Sequence, residues 1–94
     1  MTKIEIDLEK GTLTAKGHAG YAGHGQDVVC AAVSALTQTA AAAAKRQGGE
    51  AKVADGYIEI HCDMAPFRLV LEAITEGLRM IARQYPLHVR VKAR

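Results

Sequence analysis

Residues 3–8, KIEIDL, alternate apolar and charged side chains without a break, and the same period of two returns later in the chain. Such a period sends successive side chains to opposite faces of a strand. Ile4, Ile6 and Leu8 therefore share one face, and Lys3, Glu5 and Asp7 the other. Strands of this kind build a sheet with one buried and one wet face. The apolar face then needs a second layer, and two long stretches with helical spacing are available to supply it.

The remaining strands follow the same rule. Residues 12–18, TLTAKGH, place Leu13, Ala15 and Gly17 inward and Lys16 and His18 outward, with Glu9-Lys10-Gly11 as the turn of a first hairpin. Residues 51–55 and 57–62 form a second hairpin around Asp55-Gly56, a strong two-residue turn signal. Ile58, Ile60 and Cys62 share its inner face, and Tyr57, Glu59 and His61 its outer face. Residues 87–92, LHVRVK, alternate as a last strand, which places His61 and His88 on solvated faces.

A first helix is expected from Asp27, its N-cap, to about Arg46, with Val29, Val33, Leu36 and Ala40 or Ala43 as its core stripe. Lys45 and Arg46 suit its C-terminal dipole, and Gly48-Gly49 stop it. A second helix runs from about Pro66 to Gln84. Phe67, Val70, Leu71, Ile74, Leu78, Ile81 and Tyr85 fall at helical spacing, and Pro86 ends it. The order ββαββαβ predicts an α+β fold, two helices on a largely antiparallel sheet, with residues 1–94 as a single domain.

Composition excludes several classes of function. A net charge of +2, no Trp and a single Phe argue against a nucleic-acid surface. Arg83, His88, Arg90 and Lys92 read as one solvated face. The longest apolar stretch, Val28 to Ala44, is interrupted by Ser34, Thr37, Gln38 and Thr39 and falls short of the ~20 residues of a membrane span. It reads as a core helix, with no membrane partner expected. The charged N-terminus does not resemble a signal peptide, and two cysteines make no disulfide framework. Cys30 and Cys62 are therefore expected to be free thiols in a reducing cytoplasm, with Cys62 in the core.

The chemistry concentrates in residues 17–34, GHAGYAGHGQDVVCAAVS. His18 closes a strand-like run. A loop over 19–26 holds Gly20, Gly23, Gly25 and Tyr21 and has little conformational preference of its own. With Asp27 as N-cap, Cys30 is N3, among unpaired helix N–H groups at the positive end of the dipole. That setting favours the thiolate, the nucleophilic form of cysteine, and offers donors to an oxyanion. His18 is the candidate base and later acid, and His24 an alternative base. Asp27 either caps the helix or orients His18 as the third member of a triad. Ser34, four residues after Cys30, is placed to hydrogen-bond the site or a backbone carbonyl of the preceding turn.

Competing readings exist for each residue. A cysteine beside Val29 and Ala31 also suits a small buried position. A zinc site from His18, His24 and Cys30 lacks any CxxC or HxxxH spacing, so no metal or cofactor is expected. The loop GYAGHG lacks the features of a phosphate-binding loop. Redox sensing through Cys30 would need a resolving thiol, and Cys62 faces inward.

Gly17-His18-Ala19, Tyr21, Gly25 and Asp27-Val28-Val29-Cys30-Ala31-Ala32-Val33-Ser34 together resemble the signature of the ribosomal-processing cysteine protease family Prp. The likeness extends through Gly77-Leu78 and Tyr85-Pro86 over nearly the whole chain. It implies that His18 and Cys30 are the catalytic histidine and cysteine, with Asp27 and Ser34 at the family's supporting positions. It also implies a homodimer that removes a short N-terminal extension from a large-subunit ribosomal protein, cutting after an aromatic residue. The loop over residues 19–26 is implied to move when substrate binds. The alternative from another class is a ribosome-assembly binding module of the same fold without turnover.

Overall fold

The alternating runs become five strands separated by two helices: β1 (Thr2–Asp7), β2 (Thr12–Lys16), α1 (Val28–Arg46), β3 (Glu50–Ala54), β4 (Tyr57–His61), α2 (Ala65–Gln84) and β5 (Val89–Ala93). The computed structural model describes residues 1–23 and 27–94. His24 and Gly25, singled out above as an alternative base and a loop glycine, lie outside the described residues, as does the zinc set that includes His24.

The strands form one sheet in the order β3-β4-β2-β1-β5. Three neighbouring pairs are antiparallel, and β5 alone runs parallel to its neighbour β1. The parallel pair follows from the topology: α2 carries the chain from β4 back across the layer to the β1 edge, a connection too long for a hairpin. The fold is thus α+β, with a mixed, mostly antiparallel sheet.

Both helices cover one face. Ile4, Ile6, Leu13, Ala15, Ile58 and Ile60 point into the core and meet Val29, Val33, Phe67, Leu71, Ile74 and Leu78. Cys62 is buried there too, at 3% exposure. Lys3, Glu5, Lys16, Glu59, Lys52, Arg90 and Lys92 lie on the open face. The basic residues of the C-terminal region do not share one face: Arg90 and Lys92 are on the open sheet face, Arg83 ends α2, and His88 is partly buried.

The core stripe of α1 is wider than its pattern suggested. Thr37, Ala41 and Ala44 are buried with Val29, Val33 and Ala40, whereas Leu36 and Ala43 are only partly covered. α1 packs against α2 as well as against β3 and β4, and two partners need a broader face than one. The hydroxyl of Thr37 is accommodated because it donates to the Val33 carbonyl at 3.0 Å. By length and hydropathy alone α1 would suit a membrane, but here it is a layer of the core.

Several boundaries moved by one or two residues. β1 ends at Asp7, whose Oδ1 accepts the N–H groups of Glu9 and Lys10 and opens the turn, leaving Leu8 only partly buried. The second hairpin pairs Glu50–Ala54 with Tyr57–His61 around Asp55-Gly56. β5 begins at Val89, not Leu87: the Val89 and His88 N–H groups both donate to the Tyr85 carbonyl in a turn behind α2, which leaves Leu87 80% exposed.

Candidate active site

β2 stops at Lys16 and not at His18, because Gly17 takes φ +93°. A Cβ there would strike the Met1 carbonyl oxygen, so only glycine fits. The Gly17 N–H donates to the Gly56 carbonyl at 2.8 Å, which straps the chain before His18 to the β3–β4 turn. His18 then leaves the sheet and lays its ring over Gly56. A Cβ on Gly56 would come within 2.9 Å of His18 Nε2. The same Nε2 lies 3.7 Å from Asp55 Oδ1.

Cys30 sits in the first turn of α1, partly buried, with its backbone held by the cap. Asp27 Oδ1 accepts the Cys30 N–H at 2.8 Å, the N-cap geometry expected from the sequence. Its other oxygen, Oδ2, accepts the Tyr21 N–H at 2.9 Å and so pins the loop to the helix. The Cys30 N–H, with those of Tyr21, Ala22 and Val29, draws the Asp27 carboxyl below its ordinary pKa, against a smaller opposing effect of desolvation. Two consequences follow. Both Asp27 oxygens serve as cap and loop anchor, and the carboxylate in ionic range of the His18 ring is that of Asp55. The Cys30 N–H, expected to be open to an oxyanion, is already engaged by Asp27, so a substrate oxyanion would have to compete for it or use another donor.

The loop has a second attachment that the sequence did not reveal. The Tyr21 ring meets Tyr85 edge-on at 5.3 Å and His88 at 5.4 Å between centroids. His88 Nδ1 lies 3.0 Å from the Ala19 carbonyl, and Ala19 is buried at 1% exposure. His88 is therefore partly buried and engaged, and not the freely solvated side chain that the alternation suggested. It joins the start of the loop to the turn behind α2, across a separation of 69 residues. His61 remains exposed on the open sheet face, as the alternation predicted.

His18, Cys30 and Ser34 form a wall shared by two adjoining clefts. One, of about 310 Å³, continues past Val33 to Val53, Asp55, Gly56 and Ile58. The other, of about 380 Å³, opens toward Gly20, Ala22, Asp27 and Ala31. A cysteine, a histidine and a hydroxyl on the boundary between two clefts can present a peptide bond to a thiolate, with chain extending to either side. Tyr57 also lines the first cleft. Its hydroxyl donates to Glu59 at 2.7 Å, and that hydrogen bond, with desolvation and the Glu59 charge, pushes its pKa above the ordinary value. Tyr57 thus stays protonated and supplies no base at neutral pH. The β3–β4 turn is the part of the site missed in the sequence. Asp55-Gly56 was legible as a turn, but its place beside His18 needs the pairing of β2 with β4, in which Lys16 faces Tyr57.

The family model for cysteine protease Prp matches residues 1–90. The ribosomal processing cysteine protease Prp of Mycoplasma genitalium is 33% identical over 90 residues, covering 92% of this chain and 91% of that protein. The fold matches crystal structures of the ribosomal processing protease Prp from S. aureus. The complex with a covalently linked product peptide superposes with a TM-score of 0.88 at 22% identity, and the complex with a substrate peptide with 0.81 at 20%, each over 100% of both chains. SMU.848 from Streptococcus mutans matches with a TM-score of 0.71 at 25% identity, over 98% of this chain and 90% of that one. The chain belongs to the Prp family of cysteine proteases.

Proposed function

We propose that this protease acts in the cytoplasm to remove a short N-terminal extension from a large-subunit ribosomal protein, cutting after an aromatic residue. Cys30 is the nucleophile and His18 the general base and acid. The observation that carries this reading is the shared wall: a cysteine in the first turn of a helix and a histidine on a glycine-bounded bend border the same two clefts.

In this mechanism His18 takes the Cys30 proton, and the thiolate attacks the scissile carbonyl to form a tetrahedral intermediate. Collapse breaks the C–N bond, and the imidazolium returns the proton to the leaving amine. Water then attacks the thioester with His18 as base, releasing the carboxylate and restoring the thiol. Ser34 supports the site from one turn further along α1. Residues 19–23, tied by Asp27 and His88, shift to admit substrate. The working unit is a homodimer of one-domain chains.

The test is to incubate the protein with its organism's large-subunit ribosomal protein and read the N-terminal mass. The wild type shortens it, and Cys30→Ala leaves it intact. Cleavage by Cys30→Ala would overturn the assignment of the nucleophile. Binding by the wild type without any change in mass would favour a binding module.

A further inference from the structure

We propose that the β3–β4 turn is the third part of the catalytic site, with Asp55 as a positioning residue whose charge faces His18 Nε2 and leaves Nδ1 to take the Cys30 proton. The proposal rests on the reading of His18 as the base.

Three observations carry it. The backbone leading into His18 is bound to this turn, Gly17 N–H to Gly56 carbonyl at 2.8 Å. The imidazole lies over Gly56, where a side chain would crowd Nε2 at 2.9 Å. Gly56 has φ +70°, so the position favours glycine by conformation as well as by space. The carboxylate of Asp55 then stands 3.7 Å from Nε2. Asp27, the carboxylate that the sequence offers for this task, has both oxygens on backbone N–H groups.

The protons balance through the ring. At 3.7 Å the Nε2–Asp55 Oδ1 contact is ionic and too long for a hydrogen bond, so Asp55 acts on the charge of the imidazolium, and Nδ1 is the nitrogen left to take a proton. When Nδ1 takes the Cys30 proton, the imidazolium forms beside the Asp55 charge, at the step where the thiolate forms. Nδ1 later gives that proton to the leaving amine, and the ring returns to its starting tautomer. Asp55 keeps its charge throughout and favours the thiolate–imidazolium pair and the transition states that contain it. The Asp55 side chain is 87% exposed, so its removal leaves the fold intact. The same exposure lets salt screen the pair.

The experiment compares wild type, Asp55→Asn and Asp55→Glu on a peptide spanning the junction between the extension and the body of the ribosomal protein. Asp55→Asn is expected to lower kcat about 2- to 5-fold, the scale of an exposed ion pair, with KM unchanged. The loss should shrink at high salt, and Asp55→Glu should recover most of it. Alkylation of Cys30 by iodoacetamide without substrate adds a second readout. It should slow in Asp55→Asn, while His18→Ala/Asp55→Asn should match His18→Ala. Wild-type kcat in Asp55→Asn would overturn the proposal. So would a loss that is insensitive to salt and not restored by glutamate, or an equal slowing of alkylation in the His18→Ala background. An inactive His18→Ala beside a normal Asp55→Asn would leave the base assignment standing and remove Asp55. Full activity in His18→Ala would remove both.

Discussion

The two helices are nearly equal in length, 19 and 20 residues, yet they begin in opposite ways. α1 opens with Asp27, whose carboxylate accepts the Cys30 N–H and, from the loop, the Tyr21 N–H. α2 opens with Met64, which makes no side-chain cap, and has Pro in its first turn. What secures the start of α2 is burial: Phe67 is fully enclosed, and its N–H donates to the Met64 carbonyl at 3.0 Å. Val29 and Cys30 in the first turn of α1 are packed as well, Val29 fully and Cys30 in part, but a polar anchor is added. The difference teaches where a small fold concentrates its polar order. A helix start that only packs can rely on apolar area. One that must hold a thiol in register with a loop and a histidine needs directional bonds.

The contrast between the two helix starts can be broken experimentally, beginning with the largest effect. His18→Ala should reduce peptide cleavage by about 100- to 10,000-fold, the range for loss of a general acid–base. His61→Ala, on the open face of the sheet, should leave kcat/KM unchanged. Equal losses would show that the effect is not local to the site. Asp27→Ala should lower the melting temperature and also reduce peptide cleavage, because one side chain holds both the helix start and the loop. A change in stability alone would reduce Asp27 to an ordinary cap.

The reverse change belongs on α2. Met64→Asp supplies the missing cap and should raise stability by about 0.5–1 kcal/mol in urea unfolding, without altering cleavage. No gain would mean that the Pro-containing first turn cannot present its N–H groups to a cap. The smallest effect concerns pH. The folded Asp27 carboxyl has a lowered pKa, so the unfolded chain binds its proton more readily. Its contribution is therefore complete above the ordinary aspartate value of about 3.9 and is lost as pH falls through the lower folded value. Unfolding measured across this acidic window should show the slope in wild type and lose that part of it in Asp27→Asn. An unchanged slope would mean that the carboxylate is not held by these N–H groups in solution.

Much of the site was legible because its contacts are local. Asp27 and Cys30 are three residues apart, and an N-cap followed by N3 brings the carboxylate to the N–H wherever the helix forms. The strict alternation of β1, and of β4 with its Ile58 and Ile60, determined which residues face the core before any partner was known. The strand boundary at Gly17 was not legible, since its positive φ is imposed by the neighbouring Met1 carbonyl and Gly56. Nor was His88, which alternation alone assigned to solvent and which a turn behind α2 carries to Ala19.

The sequence by itself determined the element types, the inward faces, the cap on α1 and the family, because each rests on residue type and short-range spacing. Only the tertiary structure decided that β5 lies parallel to β1, that Tyr21 packs against Tyr85 and His88, and that His18 rests over Gly56 beside Asp55. Those contacts join segments separated by tens of residues. Their geometry follows from the order in which strands enter the sheet, and no local preference of the chain encodes that order.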